Sequence, residues 1–328
     1  MQFKPQSKIK LRYVIEQYCI NKQVAIRRYG LINDWDVSLI TDMSQLFFCC
    51  HTYNCTKKIH QFNELINNWN VSNVTNMSYM FYCCKEFNQP LNNWNVSNVT
   101  NMNSMFSECT NFNQPLNNWN VSNVMDMSSM FYECHKFDQL INNWNVSNVT
   151  NMNYMFLGCI MFNHPINNWN VTNVTNMRSM FSRCNMFNQP LNNWNVSNVI
   201  DMSDMFYDCN NFNQPLNNWN VSNVADTSSM LLFTVCEKLD KIRFFAKISN
   251  KNNKYALCEL QKLLPFVTIY HLVKNKEFLM EHMTDDNKNE IEEYADQYID
   301  NICKICYTDT KCINVNDQLI CVPCSYDI

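Results

Sequence analysis

Apolar positions along the chain recur in a pattern that repeats every 25 residues. One unit runs from Asn92-Asn93-Trp94-Asn95-Val96-Ser97-Asn98-Val99-Thr100-Asn101-Met102 through Met105-Phe106, Cys109 and Phe112 to Asn113-Gln114-Pro115-Leu116. Met102, Met105, Phe106 and Cys109 fall at i, i+3, i+4 and i+7, the spacing of one buried helical face, with Thr100 placed to cap it. Trp94 and Val96 alternate with Asn93, Asn95 and Ser97, a period-two signal that predicts a short strand pairing with its copies in a parallel ladder. The Asn-Gln-Pro triplets at 88–90, 113–115, 188–190 and 213–215 read as the corner between the two. Proline cannot donate to a ladder, and asparagine tolerates turn geometry.

The tryptophans carry the phase. Trp69, Trp94, Trp119, Trp144, Trp169, Trp194 and Trp219 are spaced 25 apart, and Trp35 precedes the first by 34. The extra residues lie between Cys50 and Phe62, an insertion in one loop. A fixed period in this range is the signature of a solenoid, because a single unit cannot bury its apolar face alone. The expected fold is an α/β solenoid, a leucine-rich-repeat-like array of eight 25-residue strand-plus-short-helix coils. An amino-terminal helical cap is expected over 1–30, where Leu11, Val14, Ile15, Tyr18 and Cys19 have helical spacing, and the array itself over 31–235. The last coil decays, with Thr227 in a methionine column, Leu231 for phenylalanine and Thr234 for cysteine. A helical region follows over 236–300, with patterns at 238–248, 256–264 and 288–302, and then a Cys-rich tail over 301–328.

Composition narrows the chemistry. The two glycines, Gly30 and Gly158, leave no glycine-rich phosphate loop, dinucleotide turn or nucleophile elbow, so no nucleotide cofactor is expected. Charged residues are 16% of the chain, whereas 56 asparagines carry its polarity. Such asparagine-rich sequence also suits a disordered tract, but disordered tracts lack phased Trp, Met, Phe and Cys columns. The asparagines are expected to form internal ladders that satisfy backbone groups at the bends. A net charge of −4 offers no footprint for nucleic acid. The longest apolar run, 263–273, is shorter than the ~20 residues of a membrane span. The first residues mix Lys4, Lys8, Lys10 and Arg12 among scattered apolar positions, unlike a secretory signal. The expectation is a soluble, intracellular protein whose 18 cysteines are reduced or metal-bound.

The unit resembles the BspA-like leucine-rich-repeat surface proteins, whose repeats share the W-x-V-S-x-V-T-x-M-x-x-M-F-x-x-C-x-x-F-N core over about residues 29–235. The start at Tyr29-Gly30, Asp34-Trp35-Asp36-Val37-Ser38 and Thr41-Asp42-Met43-Ser44 is similar as well. The resemblance implies a recognition solenoid. Relatives occur in bacterial surface proteins and, with this Asn-rich composition, in large DNA viruses of protists; a viral member would act in the host cytoplasm.

Two C-x2-C pairs close the chain, Cys303/Cys306 and Cys321/Cys324, with Cys312 between them. Four thiolates complete a tetrahedron around zinc, so these four are the expected metal ligands and Cys312 a spare or alternate. Cys303-Lys304-Ile305-Cys306 also looks like the opening of a RING finger, but no histidine follows His282, so at most one metal site is available. The buried-face cysteines, Cys50 and Cys84 through Cys209, are read as small core residues rather than a metal or redox wire. Sequons at Asn70, Asn95, Asn120, Asn145, Asn170, Asn195 and Asn220 are read as by-products of the repeat. No histidine belongs to a catalytic or metal motif.

The leading expectation is a non-enzymatic protein-recognition scaffold. Residues beside the expected helix vary from unit to unit, and Tyr79, Tyr82, Tyr132, Tyr154 and Tyr207, expected to be exposed among charges, are the candidate partner contacts. Two alternatives stand beside it: a ubiquitin-ligase-like adaptor acting through a degenerate carboxy-terminal RING or zinc module, and a surface adhesin that engages a repetitive ligand.

Overall fold

The computed structural model describes residues 2–48, 59–216 and 218–235, together with the backbone of two strands near the carboxy terminus. The chain divides into two compact units, Met1–Glu259 and Leu260–Ile328.

The first unit opens with α1, Lys8–Ile20, and α2, Lys22–Tyr29. The expected single helix is broken at Asn21, which ends α1 by donating its N–H to Gln17 and starts α2 by accepting the Val24 N–H on its side chain. α1 buries Leu11, Val14, Ile15 and Tyr18. Its Arg12 donates to the Gln45 carbonyl at 2.7 Å and its Lys8 pairs with Asp42 at 2.9 Å, so the helix lies on the first repeat. The Tyr18 ring meets Trp35 edge-on at 5.9 Å.

Beyond Gly30 the repeats stack in register. Parallel single-residue bridges join Asp42, Asn76, Asn101, Asp126, Asn151, Asn176, Asp201 and Asp226, each to the next. Indole rings stack at 6.5 Å between Trp69 and Trp94 and between Trp94 and Trp119, with planes 5° and 2° apart. Phe81, Phe106, Phe131, Phe156, Phe181 and Phe206 form a second column, spaced 5.5 to 5.8 Å. Phe87 through Phe212 form a third. Each repeat but the last thus buries one indole and two phenyl rings against its neighbours, the main apolar gain of stacking.

Local structure departs from the sequence expectation. Neither the expected helix nor the expected strand is present in the described repeats, which are built of turns. Within 102–109, Met105, Ser107 and Cys109 donate three residues back, to Met102, Ser104 and Phe106. Met102, Ser104, Phe106 and Glu108 instead donate to Asp126, Ser128, Met130 and Tyr132 of the next repeat. A helix would keep all these donors to itself, whereas here every second one is spent between repeats. The alternation requires φ > 0 at Ser104 (53°) and Glu108 (61°), the third residue of a type II turn, and the same two positions are left-handed in repeat after repeat. Met102, Met105, Phe106 and Cys109 still share the core, because successive turns return them to one side.

The strand is pre-empted in the same way. Asn95 accepts the Ser97 N–H at 3.1 Å and Val99 donates to Val96 at 2.9 Å, so the groups a ladder would use are consumed locally. Thr100 is no cap: its hydroxyl donates to the Thr75 carbonyl, and Asn101 accepts the Asn103 N–H instead.

Side-chain chemistry explains which columns vary. Where a column only accepts, aspartate replaces asparagine freely: Asp42, Asp126, Asp201 and Asp226 alternate with Asn76, Asn101, Asn151 and Asn176, each accepting the N–H two residues on. Where the amide must donate, asparagine is kept. Asn73, Asn98, Asn123, Asn148, Asn173, Asn198 and Asn223 all donate to a carbonyl of the preceding repeat. Each indole N–H does likewise, from Trp69 to Ile32 through Trp219 to Leu191.

In the second unit, β1, Cys312–Val315, pairs antiparallel with β2, Gln318–Cys321. The helical patterns expected over 236–300 lie outside the described residues, as does the insertion at 49–58.

Two substitutions check the donor rule. Asn148→Asp should cost about 1 kcal/mol or more by removing a donor and facing a carboxylate with a carbonyl, while Asn151→Asp should be near neutral, both read from urea midpoints. Ser129→Gly, at φ 54°, should raise stability by up to about 1 kcal/mol because a left-handed residue with a Cβ is strained.

Candidate functional site

The left-handed turns form a ridge along the array, and the residues that differ from repeat to repeat gather on it. Counting from each tryptophan, the tenth position reads Gln45, Tyr79, Ser104, Ser129, Tyr154, Ser179, Asp204 and Ser229. The fourteenth, where described, reads Cys83, Glu108, Glu133, Gly158, Arg183, Asp208 and Phe233. Neither set contains a β-branched residue, which the left-handed backbone disfavours. Gly158, at φ 74°, is the single glycine of the described repeats and falls in the second column. A Cβ there would stand 2.8 Å from the Glu133 carboxyl carbon, so that side chain lies directly over the glycine.

The candidate tyrosines all sit on or beside this ridge, and all five are half-buried rather than exposed. Each lies against neighbours that the turn brings close. Tyr82 stacks on Phe48 at 5.1 Å and donates its hydroxyl to Glu108 at 3.0 Å. Tyr79 meets Phe48 at 6.4 Å and Tyr82 at 5.9 Å. The Arg178 guanidinium lies 5.9 Å from the Tyr154 ring, and Tyr207 meets Phe233 at 5.6 Å. Burial, with the bonded Glu108 carboxylate, raises the Tyr82 hydroxyl to about 12. Burial also raises Tyr132, reinforced by Glu133 and Glu108. The structure therefore joins Tyr79 and Tyr82 in one cluster with Phe48 and Glu108, and sets Tyr132, Tyr154 and Tyr207 further along. Sequence reasoning missed Phe48 and Arg178. The signal for Phe48 was present, since it occupies the same column as Tyr82, Tyr132 and Tyr207.

The cysteine column is chemically quiet. Cys109, Cys134, Cys159 and Cys184 are buried and donate to the carbonyls of Phe81, Phe106, Phe131 and Phe156 in the preceding repeat. Burial pushes all four thiols well above their ordinary value of 9.0. The sequon asparagines are exposed, each accepting an N–H two residues on, as Asn145 does from Ser147. His135 pairs with Glu133 at 2.6 Å and His164 with Asp138 at 3.1 Å. No group of three or more metal-ligating side chains occurs among the described residues. Of the expected zinc ligands, Cys321 ends β2, while Cys303, Cys306 and Cys324 lie outside the described residues. Among the described residues no helix is long and apolar enough to cross a membrane.

Stacked 25-residue repeats with a shared aromatic, methionine and cysteine interior define a repeat protein. The model of one family, described as "Mycoplasma protein of unknown function, DUF285", matches residues 20–141 and 126–242, more than half of the chain. The chain belongs to this BspA-related repeat family. Neither a curated protein nor a solved structure matches it.

The thiol column and the tyrosines set an alkaline limit. In the unfolded chain the thiols ionise near pH 9, whereas in the folded column they stay protonated, so this contribution to stability is complete below pH 9 and is lost as pH rises above it. Denaturation midpoints should fall steadily above pH 9, and the column should resist thiol reagents until the repeats unfold.

Proposed function

We propose that the chain is a non-enzymatic recognition scaffold, a leucine-rich-repeat-like solenoid of turn-built coils that offers a protein partner its ridge of left-handed turns. The supporting observation is where variation falls. Amide, indole and thiol columns are tied to neighbouring repeats by hydrogen bonds and scarcely change, whereas the ridge carries Tyr, Glu, Asp, Arg, Ser and Phe on a backbone that any residue without β-branching can occupy. Rigid aromatics beside charges suit a protein interface, and the ridge is long enough to engage an extended partner. Cys109, Cys134, Cys159, Cys184 and Cys209 keep their thiols as hydrogen-bond donors to the preceding repeat, which supports a reducing, intracellular setting.

The tail is proposed to be a zinc module, through Cys303, Cys306, Cys321 and Cys324, because the β1–β2 hairpin lies between the two C-x2-C pairs and returns Cys321 alongside the start of β1. Metal binding would then supply much of its folding free energy. Zinc-dependent ubiquitin transfer would instead favour the adaptor reading.

A crosslinking comparison tests the ridge. Proteins joined to the wild type in its native cells should be lost on combining Tyr82→Ala with Tyr132→Ala and kept on replacing exposed amides such as Asn95 and Asn145 by serine. Equal loss from both sets of substitutions would move recognition off the ridge.

A further inference from the structure

The corners of the array are held by one ladder, and it changes character at one place. Gln89, Gln114, Gln139, Gln189 and Gln214 each donate a side-chain amide to the asparagine side chain of the preceding corner, at 2.8 to 3.1 Å. The next column is proline at 90, 115, 165, 190 and 215, but leucine at 65 and 140. At the second leucine three changes meet: Asp138 and Leu140 in one corner and His164 in the following one replace asparagine, proline and glutamine. The His164 ring lies 3.1 Å from the Asp138 carboxylate. The Asn163 N–H reaches that carboxylate at 3.4 Å, whereas the equivalent bond at the other corners is 2.9 to 3.0 Å. Pro115, Asp138, Leu140, Asn142, Asn143 and His164 line an open cleft of about 460 Å³. Aspartate by itself would not mark the spot, because its column only accepts. The ladder does not call for His164 or for the exposed Leu140, since it closes elsewhere with glutamine and proline.

The other leucine corner shows what such a site can hold. There Glu64 stands beside Leu65, and the Lys22 ammonium of α2 donates to both of its oxygens, at 2.7 and 2.8 Å. The amino-terminal segment is fastened in the same way twice more, by Lys4 on Asp36 at 2.7 Å and by Lys8 on Asp42 at 2.9 Å. In all three pairs a lysine from outside the repeats is set on a carboxylate of the array.

We propose that the corner at 138–140, with His164, is a further docking point of this kind, and that its occupant is a lysine-bearing segment of a protein partner. The partner's ammonium donates to Asp138, whose carboxylate takes more donors than the single oxygen of an asparagine amide. The methylene stem of the lysine lies along Leu140 and Pro115, which gives the exposed leucine apolar cover. The corner columns are not those of the tyrosine ridge, so this site rests on the scaffold reading only in taking the partner to be a protein.

The test treats lysed native cells containing the full chain with a carbodiimide, which joins a carboxylate directly to a lysine, and maps the linked peptides by mass spectrometry. The Glu64–Lys22 link serves as the internal control. A link from Asp138 to a lysine of one partner protein is expected. Combining Leu140→Pro with His164→Gln restores the common corner and leaves Asp138 in place; it should lower the yield of that link about tenfold with an unchanged urea midpoint. Such a loss supports the corner whether or not Tyr82→Ala with Tyr132→Ala also lowers the yield, so the ridge can fail alone. Full retention of the link in the restored corner would overturn the proposal. So would linkage of Asp138 only to lysines of this chain or of a second copy, or a Glu64–Lys22 link with none at Asp138.

Discussion

Hydrogen bonds from each repeat to the backbone of its neighbour are the constraint on which this array depends. Repeats that form neither α-helix nor continuous strand must satisfy their buried N–H and carbonyl groups some other way. Here alternate N–H groups of 102–108 donate to the following repeat, while the Asn98 amide, the Trp94 indole and the Cys109 thiol donate to carbonyls of the preceding one. Every interface thus receives bonds from both sides. The aromatic columns supply the apolar area, and the polar ties hold equivalent rings in register, which keeps indole planes within a few degrees of parallel.

This division of labour accounts for the near absence of glycine. Left-handed backbone recurs twice per repeat, yet the chain fills it with serine, tyrosine, aspartate, glutamate and arginine. Each such residue costs strain of about 1 kcal/mol or more, repaid by the inter-repeat hydrogen bond that the turn makes possible. Gly158 shows the alternative, and there the space without a Cβ is taken by the Glu133 carboxylate.

Much of the interior was legible in the sequence, because period and residue size identify a core regardless of the backbone that delivers it. Met102, Met105, Phe106 and Cys109 are buried together as their spacing implied. The backbone itself was misread, and for one reason. Spacing of i, i+3, i+4 and i+7 is shared by a helix and by consecutive three-residue-back turns, and only the identity of the acceptors separates them. The asparagines held the missing information, since Asn95 and Asn101 each precede by two a residue whose N–H they capture. The ridge was legible as variation, though not as half-buried aromatic clusters, because pairings such as Tyr82 with Glu108 join residues 26 apart.

The alternation of donors also bears on how such a chain can change over evolutionary time. Internal repeats give and receive the same set of bonds, so excising or duplicating any 25-residue stretch joins a donor edge to a matching acceptor edge. The cutting point need not fall at a repeat boundary, provided the length removed or added is a whole period. The amino-terminal segment, whose α1 meets Asp42 and Gln45 and whose α2 meets Glu64 through Lys22, is bound to one place. Array length is therefore a freely adjustable quantity, and with it the number of ridge positions available to diversify.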